Sequence, residues 1–128
     1  MIKSIETTSA PLPAGHYSQA TAWNDLIFVS GQLPIQPVTR HRVTGSLEAQ
    51  LEQVLANLQA VVEAAGSDLS HIVKTTIYIA DISLWDRVNV VYAKFFGDHK
   101  PARSIVPTRE LHHGFLVEIE AIAVRKSA

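Results

Sequence analysis

Apolar residues recur at helical spacing over one long stretch of the chain. Leu47, Leu51, Val54, Leu55, Leu58, Val61, Val62 and Ala65 fall on one face of a helix, with Glu48, Glu52, Gln53, Gln59 and Glu63 opposite. Ser46 precedes it as an N-cap, Glu48 suits the positive end of the helix dipole, and Gly66 stops it. A second stripe, Val88, Val91, Tyr92, Phe95 and Phe96, predicts another helix ended by Gly97. Ser83 is expected to cap it, with Asp86 three residues on as a capping-box variant.

Elsewhere the period shortens to two or the run is continuously apolar. Tyr17 to Trp23 and Leu26 to Ser30 read as strands joined at Asn24-Asp25, hence a hairpin. Ile72 to Ile79 reads as a strand with Val73, Thr75, Ile77 and Ile79 on one face and Lys74, Thr76 and Tyr78 on the other. Ala102 to Val106 is a further strand. In Phe115 to Val124 the odd positions are apolar, whereas Glu118 and Glu120 share the even face with Leu116, Ile122 and Val124.

The predicted order is hairpin, helix, strand, helix, strand, strand, in a single α+β domain over residues 1–128. Two helices with one apolar stripe each cover one face of such a sheet. The other face, mixing carboxylates with aliphatics, is open to solvent or to a partner subunit.

Composition narrows the chemistry. Eleven basic and twelve acidic residues are mixed along the chain for a net charge of −1, which lacks the basic footprint of a nucleic-acid binder. There is no cysteine, so thiol nucleophiles, disulfides and cysteine-ligated zinc are excluded together. No apolar run reaches membrane-spanning length, and the N-terminus has no signal core, so a cytoplasmic location is the expectation. Six histidines include the adjacent His112-His113, which on an extended segment point to opposite sides and suit a metal badly.

The candidate chemistry lies in the C-terminal tail. Arg103 stands between apolar residues, and Glu118 and Glu120 lie on what reads as an adjacent strand. A guanidinium holds a small carboxylate through two parallel hydrogen bonds, and a nearby carboxyl group moves protons. The same residues equally make an ordinary ion pair. Repulsion between the glutamates and burial would raise a glutamate pKa, while Arg103 would lower it.

Several stretches, in order along nearly the whole chain, resemble the reactive intermediate deaminase A family, also called YjgF/YER057c/UK114 or L-PSP. They are Tyr17-Ser18-Gln19-Ala20, Ser30-Gly31-Gln32, Gln53 through Gly66 with Asn57-Leu58, Val73-Lys74-Thr75-Thr76, Val88-Asn89-Val90-Val91-Tyr92, Pro101-Ala102-Arg103-Ser104 and Val117 to Ala123. The resemblance implies a chorismate-mutase-like mixed sheet with two helices on one face, assembled as a homotrimer with clefts between subunits. It implies cofactor-independent hydrolysis of reactive 2-imino acids, of the 2-iminopropanoate or 2-iminobutanoate type, to 2-keto acids and ammonia. Metal, cofactor, nucleic acid and membrane are not implied.

Residue by residue, the resemblance makes Arg103 the substrate-carboxylate ligand and Glu118 the group that handles water. Tyr17, Ser30, Gly31, Trp85 and Asn89 become site-lining positions. Glu120 is read as a structural ion-pair residue, and a staple or interface role for Trp85 stays open.

The chain departs from the family pattern at four places. His16 replaces a proline beside Tyr17, Ile105 stands where many members have cysteine, His112-His113-Gly114 replaces a proline-containing turn, and the Phe96–Pro101 link is short. His16 and His112 are therefore accessory candidates, since histidine titrates near neutrality. Two rival functions remain: a non-catalytic, carboxylate-binding regulatory trimer, and an endoribonuclease or translation inhibitor of the L-PSP type.

Overall fold

The computed structural model describes residues 1–127. Six strands, β1 (Lys3–Ile5), β2 (Ala20–Trp23), β3 (Leu26–Gln32), β4 (Ile72–Ile79), β5 (Ala102–Pro107) and β6 (Val117–Val124), form one mixed sheet in the order β1-β2-β3-β6-β4-β5. Helix α1 (Leu47–Ala64) links β3 to β4 and α2 (Trp85–Phe96) links β4 to β5. β4 and β5 are parallel, whereas β6 runs antiparallel between β3 and β4. Each parallel pair thus has its helical crossover, and the last strand fills the gap between β3 and β4.

The core lies between the helices and one sheet face. Leu47, Leu51, Val54, Leu55, Leu58, Val61 and Val62 of α1 are fully buried against Ile27, Ile77, Ile79, Ile119 and Ala123. Truncating one of these leucines to alanine would cost about 2–5 kcal/mol. β6 alternates buried and half-buried residues along its whole length, so its odd positions face the helices and Glu118 and Glu120 face away.

Ser46 Oγ accepts from the Ala49 amide, capping α1 as its sequence predicts. Gly66, at φ +86°, takes the left-handed turn after the helix.

Four expectations are corrected. β2 begins at Ala20 rather than Tyr17, because Gln19 turns inward to bond the preceding loop. A short edge strand, β1, pairs with β2 and carries no clear alternation to reveal it. Val73 is 45% exposed because the β4–β6 register shifts between Ile72 and Lys74, a bulge that reverses its side. Ser83 does not cap α2: Asp81 accepts from the Ser83 amide to start a short 3₁₀ turn, and α2 follows with no side-chain cap.

Candidate functional site

Register assigns every strand residue to a face. Thr75 sits opposite both Ala121 and Arg103, and Thr75 is buried toward the helices, so Arg103 rises on the helix-covered face. Tyr78 sits opposite both Glu118 and Val106, on the open face. Arg103 and Glu118 therefore lie on opposite faces, with β4 between their strands, not on adjacent strands as expected. Two strand spacings and three residues of rise separate their Cα atoms by roughly 14 Å.

Each residue has its own surroundings. At the β5 edge, Arg103 Nη1 donates to Asn89 Oδ1 at 3.0 Å, and its Cζ lies 4.8 Å from the Tyr92 ring centroid and 5.5 Å from that of Trp85. Trp85 opens α2 and Asn89 follows one turn later, so the two share a helix face and converge upon Arg103. Among the described residues Arg103 forms no ion pair. The half-buried guanidinium has five N–H donors, more than Asn89 engages.

On the other face a cavity of about 550 Å³ is lined by Tyr17, Ser30, Gly31, His112, His113 and Glu118, with Leu12, Leu33 and Ile35 among its apolar walls. Its floor is a β-bulge: the β3–β6 register shifts between Val29 and Gln32, so Ser30 and Gly31 together oppose Glu120. Ser30 Oγ donates to the Ser18 carbonyl at 2.6 Å, and the Ser30 amide donates to the Gln19 carbonyl at 3.0 Å. Gly31 is a requirement of space, since a Cβ there would stand 1.9 Å from Glu118 Oε2.

Burial pushes the Glu118 carboxyl above the usual range, and the neighbouring Glu120 charge adds to that shift while His112 opposes it. Arg103, expected to pull it down, takes no part within the chain, because the sheet separates them. Glu120 is in no ion pair among the described residues; it accepts a short hydrogen bond from the Tyr78 hydroxyl. That bond, with burial, holds the Tyr78 phenol above its ordinary pKa.

The histidines also differ from expectation. His112 and His113 occupy a 3₁₀ turn with His113 at φ +57°, so their rings meet edge to face at 3.8 Å and both border the cavity. His16 is exposed and does not line it. Tyr17 lies in the loop before β2, 53% exposed, over the cavity mouth.

Sequence reasoning missed the side chains that hold the walls in place. Gln19 bonds the backbone of Thr7, Ala10 and Pro11. Asn57 donates to the Leu33 and Ile35 carbonyls, fixing that wall to α1. Gln50 accepts from the Leu116 amide at the entry to β6. Gln50 and Asn57 are polar residues within the apolar stripe of α1, and buried polar groups must find partners. That signal was present, without revealing the partners.

A six-stranded mixed sheet with both helices on one face defines the class, and known proteins share that fold. A yeast protein of known crystal structure is 43% identical and superposes with a TM-score of 0.95 over 98% of this chain and 100% of its own. TdcF of E. coli, solved with bound serine, is 38% identical with a TM-score of 0.91, covering 97% and 99% of the two chains. Reactive Intermediate Deaminase A of Arabidopsis thaliana, a chloroplastic protein, is 44% identical over 93% of this chain and 64% of its own. The family model described as Endoribonuclease L-PSP matches residues 7–125. The chain belongs to this family, the RidA/YjgF/L-PSP or Rid proteins.

Proposed function

We propose that the protein hydrolyses reactive 2-imino acids of the 2-iminopropanoate or 2-iminobutanoate type to 2-keto acids and ammonia, without a cofactor, at sites shared between copies of the chain in a homotrimer. The observation that carries this reading is the division of the site. Arg103 is fixed by Asn89 and two aromatic rings yet has no carboxylate partner among the described residues, while Glu118, the group suited to moving protons, faces away from it. One chain cannot apply both residues to one small molecule. The apolar part of the open face, where Trp23 is 51% and Phe28 41% exposed, supports burial against a second copy.

In this reading Arg103 holds the substrate carboxylate with two charge-assisted hydrogen bonds and presents the imine carbon to the partner's cleft. Glu118 takes a proton from water as the water oxygen bonds to the imine carbon, and passes that proton to the imine nitrogen to give a neutral carbinolamine. Glu118 then takes the hydroxyl proton and delivers it to the amine, so that the C–N bond breaks, ammonia leaves and the C=O bond forms. A carboxyl pKa raised toward working pH suits both proton transfers. Gly31 allows Glu118 to lie over the bulge, and Tyr17 closes the mouth.

The test is competition with a trap. An amino-acid oxidase generates 2-iminobutanoate, semicarbazide captures it, and the enzyme is expected to suppress the semicarbazone while releasing 2-ketobutyrate. Unchanged trapping at high protein concentration rejects the deaminase reading. The serine bound to the relative TdcF favours a second reading, a carboxylate-binding protein without turnover. Binding of 2-ketobutyrate with no effect on any imine would select it. Ribonuclease activity has little support from a chain of net charge −1.

A further inference from the structure

The surroundings of Arg103 form a closed loop of contacts. Residues 85, 89 and 92 lie at i, i+4 and i+7 on one face of α2, and all three meet the guanidinium. Tyr92 is buried beneath it with the shorter ring distance, 4.8 Å, while Trp85, 39% exposed, borders it from the solvent side. Tyr92 is held in turn by a buried hydrogen bond of 2.8 Å between its hydroxyl and Thr75 Oγ1. Thr75 is fully buried and stands directly opposite Arg103 in the β4–β5 ladder.

The path therefore runs from the Arg103 backbone through Thr75 and the Tyr92 hydroxyl to the Tyr92 ring, and back to the Arg103 guanidinium. A flexible side chain in such a loop is ordered before any ligand arrives, which removes part of the entropic cost of binding. Asn89 Oδ1 accepts a hydrogen bond from Nη1 at 3.0 Å. Among the described residues the Nε–Nη2 edge makes no hydrogen bond, and it offers two parallel N–H bonds spaced for a carboxylate.

From this arrangement we infer that Tyr92, anchored by Thr75, is a positioning residue for substrate binding: it sets the plane of Arg103 so that the Nε–Nη2 edge meets the substrate carboxylate. The inference rests on the proposed function and adds a residue that itself touches no substrate. A tyrosine in the apolar stripe of a helix is otherwise a core residue, so the two roles need a measurement that separates them.

Affinity for 2-ketobutyrate, measured calorimetrically on the full chain, provides it. Tyr92→Leu is expected to weaken binding about 3- to 30-fold, the range of a partly desolvated cation–π contact, and Tyr92→Phe by less than about 3-fold. In an Arg103→Gln background the Tyr92→Leu penalty should vanish, because there is no guanidinium left to orient. An equal penalty in both backgrounds would make Tyr92 a core residue alone and overturn the inference while leaving the proposed function standing. If the wild-type protein fails to bind 2-ketobutyrate, the carboxylate site itself is wrong and the inference falls with it.

Should Tyr92→Leu fail to fold, the Arg103 Nε–H proton resonance of the wild type and of Tyr92→Phe replaces it. Both should show the upfield shift of a proton over a ring face, and a solvent-like shift in either would overturn the inference.

Discussion

The arginine edge and the glutamate cleft are built in opposite ways. At the edge, one helix face and one strand supply Trp85, Asn89, Tyr92, Thr75 and Arg103, and the charge is fixed by regular secondary structure packed on the core. In the cleft, the walls come from the loop before β2, the bulge in β3, the segment after it and the 3₁₀ turn before β6. Glu118 is the main cleft residue on regular structure, and its position depends on the absence of a side chain at Gly31. The rigid edge suits a constant feature of a substrate, its carboxylate. The loop-built cleft is where substrate side chains would be discriminated, and its lining holds one of the four departures from the family pattern, at His112-His113, whereas His16 lies outside it.

The largest effect tests whether the two halves work together across chains. Arg103→Ala and Glu118→Gln should each lose imine hydrolysis by on the order of 100-fold or more. Refolding the two variants as an equal mixture should restore about a quarter of the sites, since some clefts then pair an intact arginine with an intact glutamate. No recovery would mean that both residues act within one chain or that one of them is not needed.

Gly31→Ala comes next. Its Cβ collides with Glu118 Oε2, so the carboxyl must move, and overpacking of this kind costs about 1–3 kcal/mol. The thermal midpoint should fall and turnover should drop sharply, while the arginine edge keeps its hydrogen bond and ring contacts in a crystal structure of the variant. Wild-type turnover in Gly31→Ala would remove Glu118 from the reaction.

A smaller effect is electrostatic. NMR titration of the Glu118 carboxyl carbon should show its midpoint falling in Glu120→Gln, because the neighbouring charge that raises it is gone. Within one chain Arg103 has no influence on Glu118, so a rise of that midpoint in Arg103→Ala would report an arginine supplied by another subunit. The sign for stability follows from linkage. A carboxyl whose folded pKa is raised binds more protons folded than unfolded, so its contribution is most favourable below the unfolded pKa. That contribution is lost as pH rises through the folded pKa. Glu118→Gln should flatten this part of the stability profile.

The smallest effect is expected at His16. It is exposed and outside the cavity lining, so His16→Ala should alter kcat/KM for 2-iminobutanoate by less than about 3-fold. A larger loss would place the loop before β2 closer to the substrate in the assembled protein than in the single chain.

Periodicity carried most of the architecture. The α1 stripe from Leu47 to Val62, the α2 stripe through Val88, Tyr92 and Phe96, and the alternation of β6 each require burial of one face, and a repeating requirement leaves a repeating pattern. The candidate site residues were named from local motifs, which mark positions without their neighbours across the sheet. Val73 and the histidine turn were misread because a bulge and a positive φ interrupt a period without leaving one of their own.

The sequence by itself determined both helices, five of the six strands and, Val73 excepted, which side of α1, α2, β4 and β6 faces the core, because these depend on neighbours three or four residues apart, or two. Strand order and register belonged to the tertiary structure, since no local pattern records that β6 inserts between β3 and β4. That insertion decides the relation of Arg103 and Glu118. It leaves β4 between Arg103 and Glu118 and, with the register across it, turns them to opposite faces of one sheet.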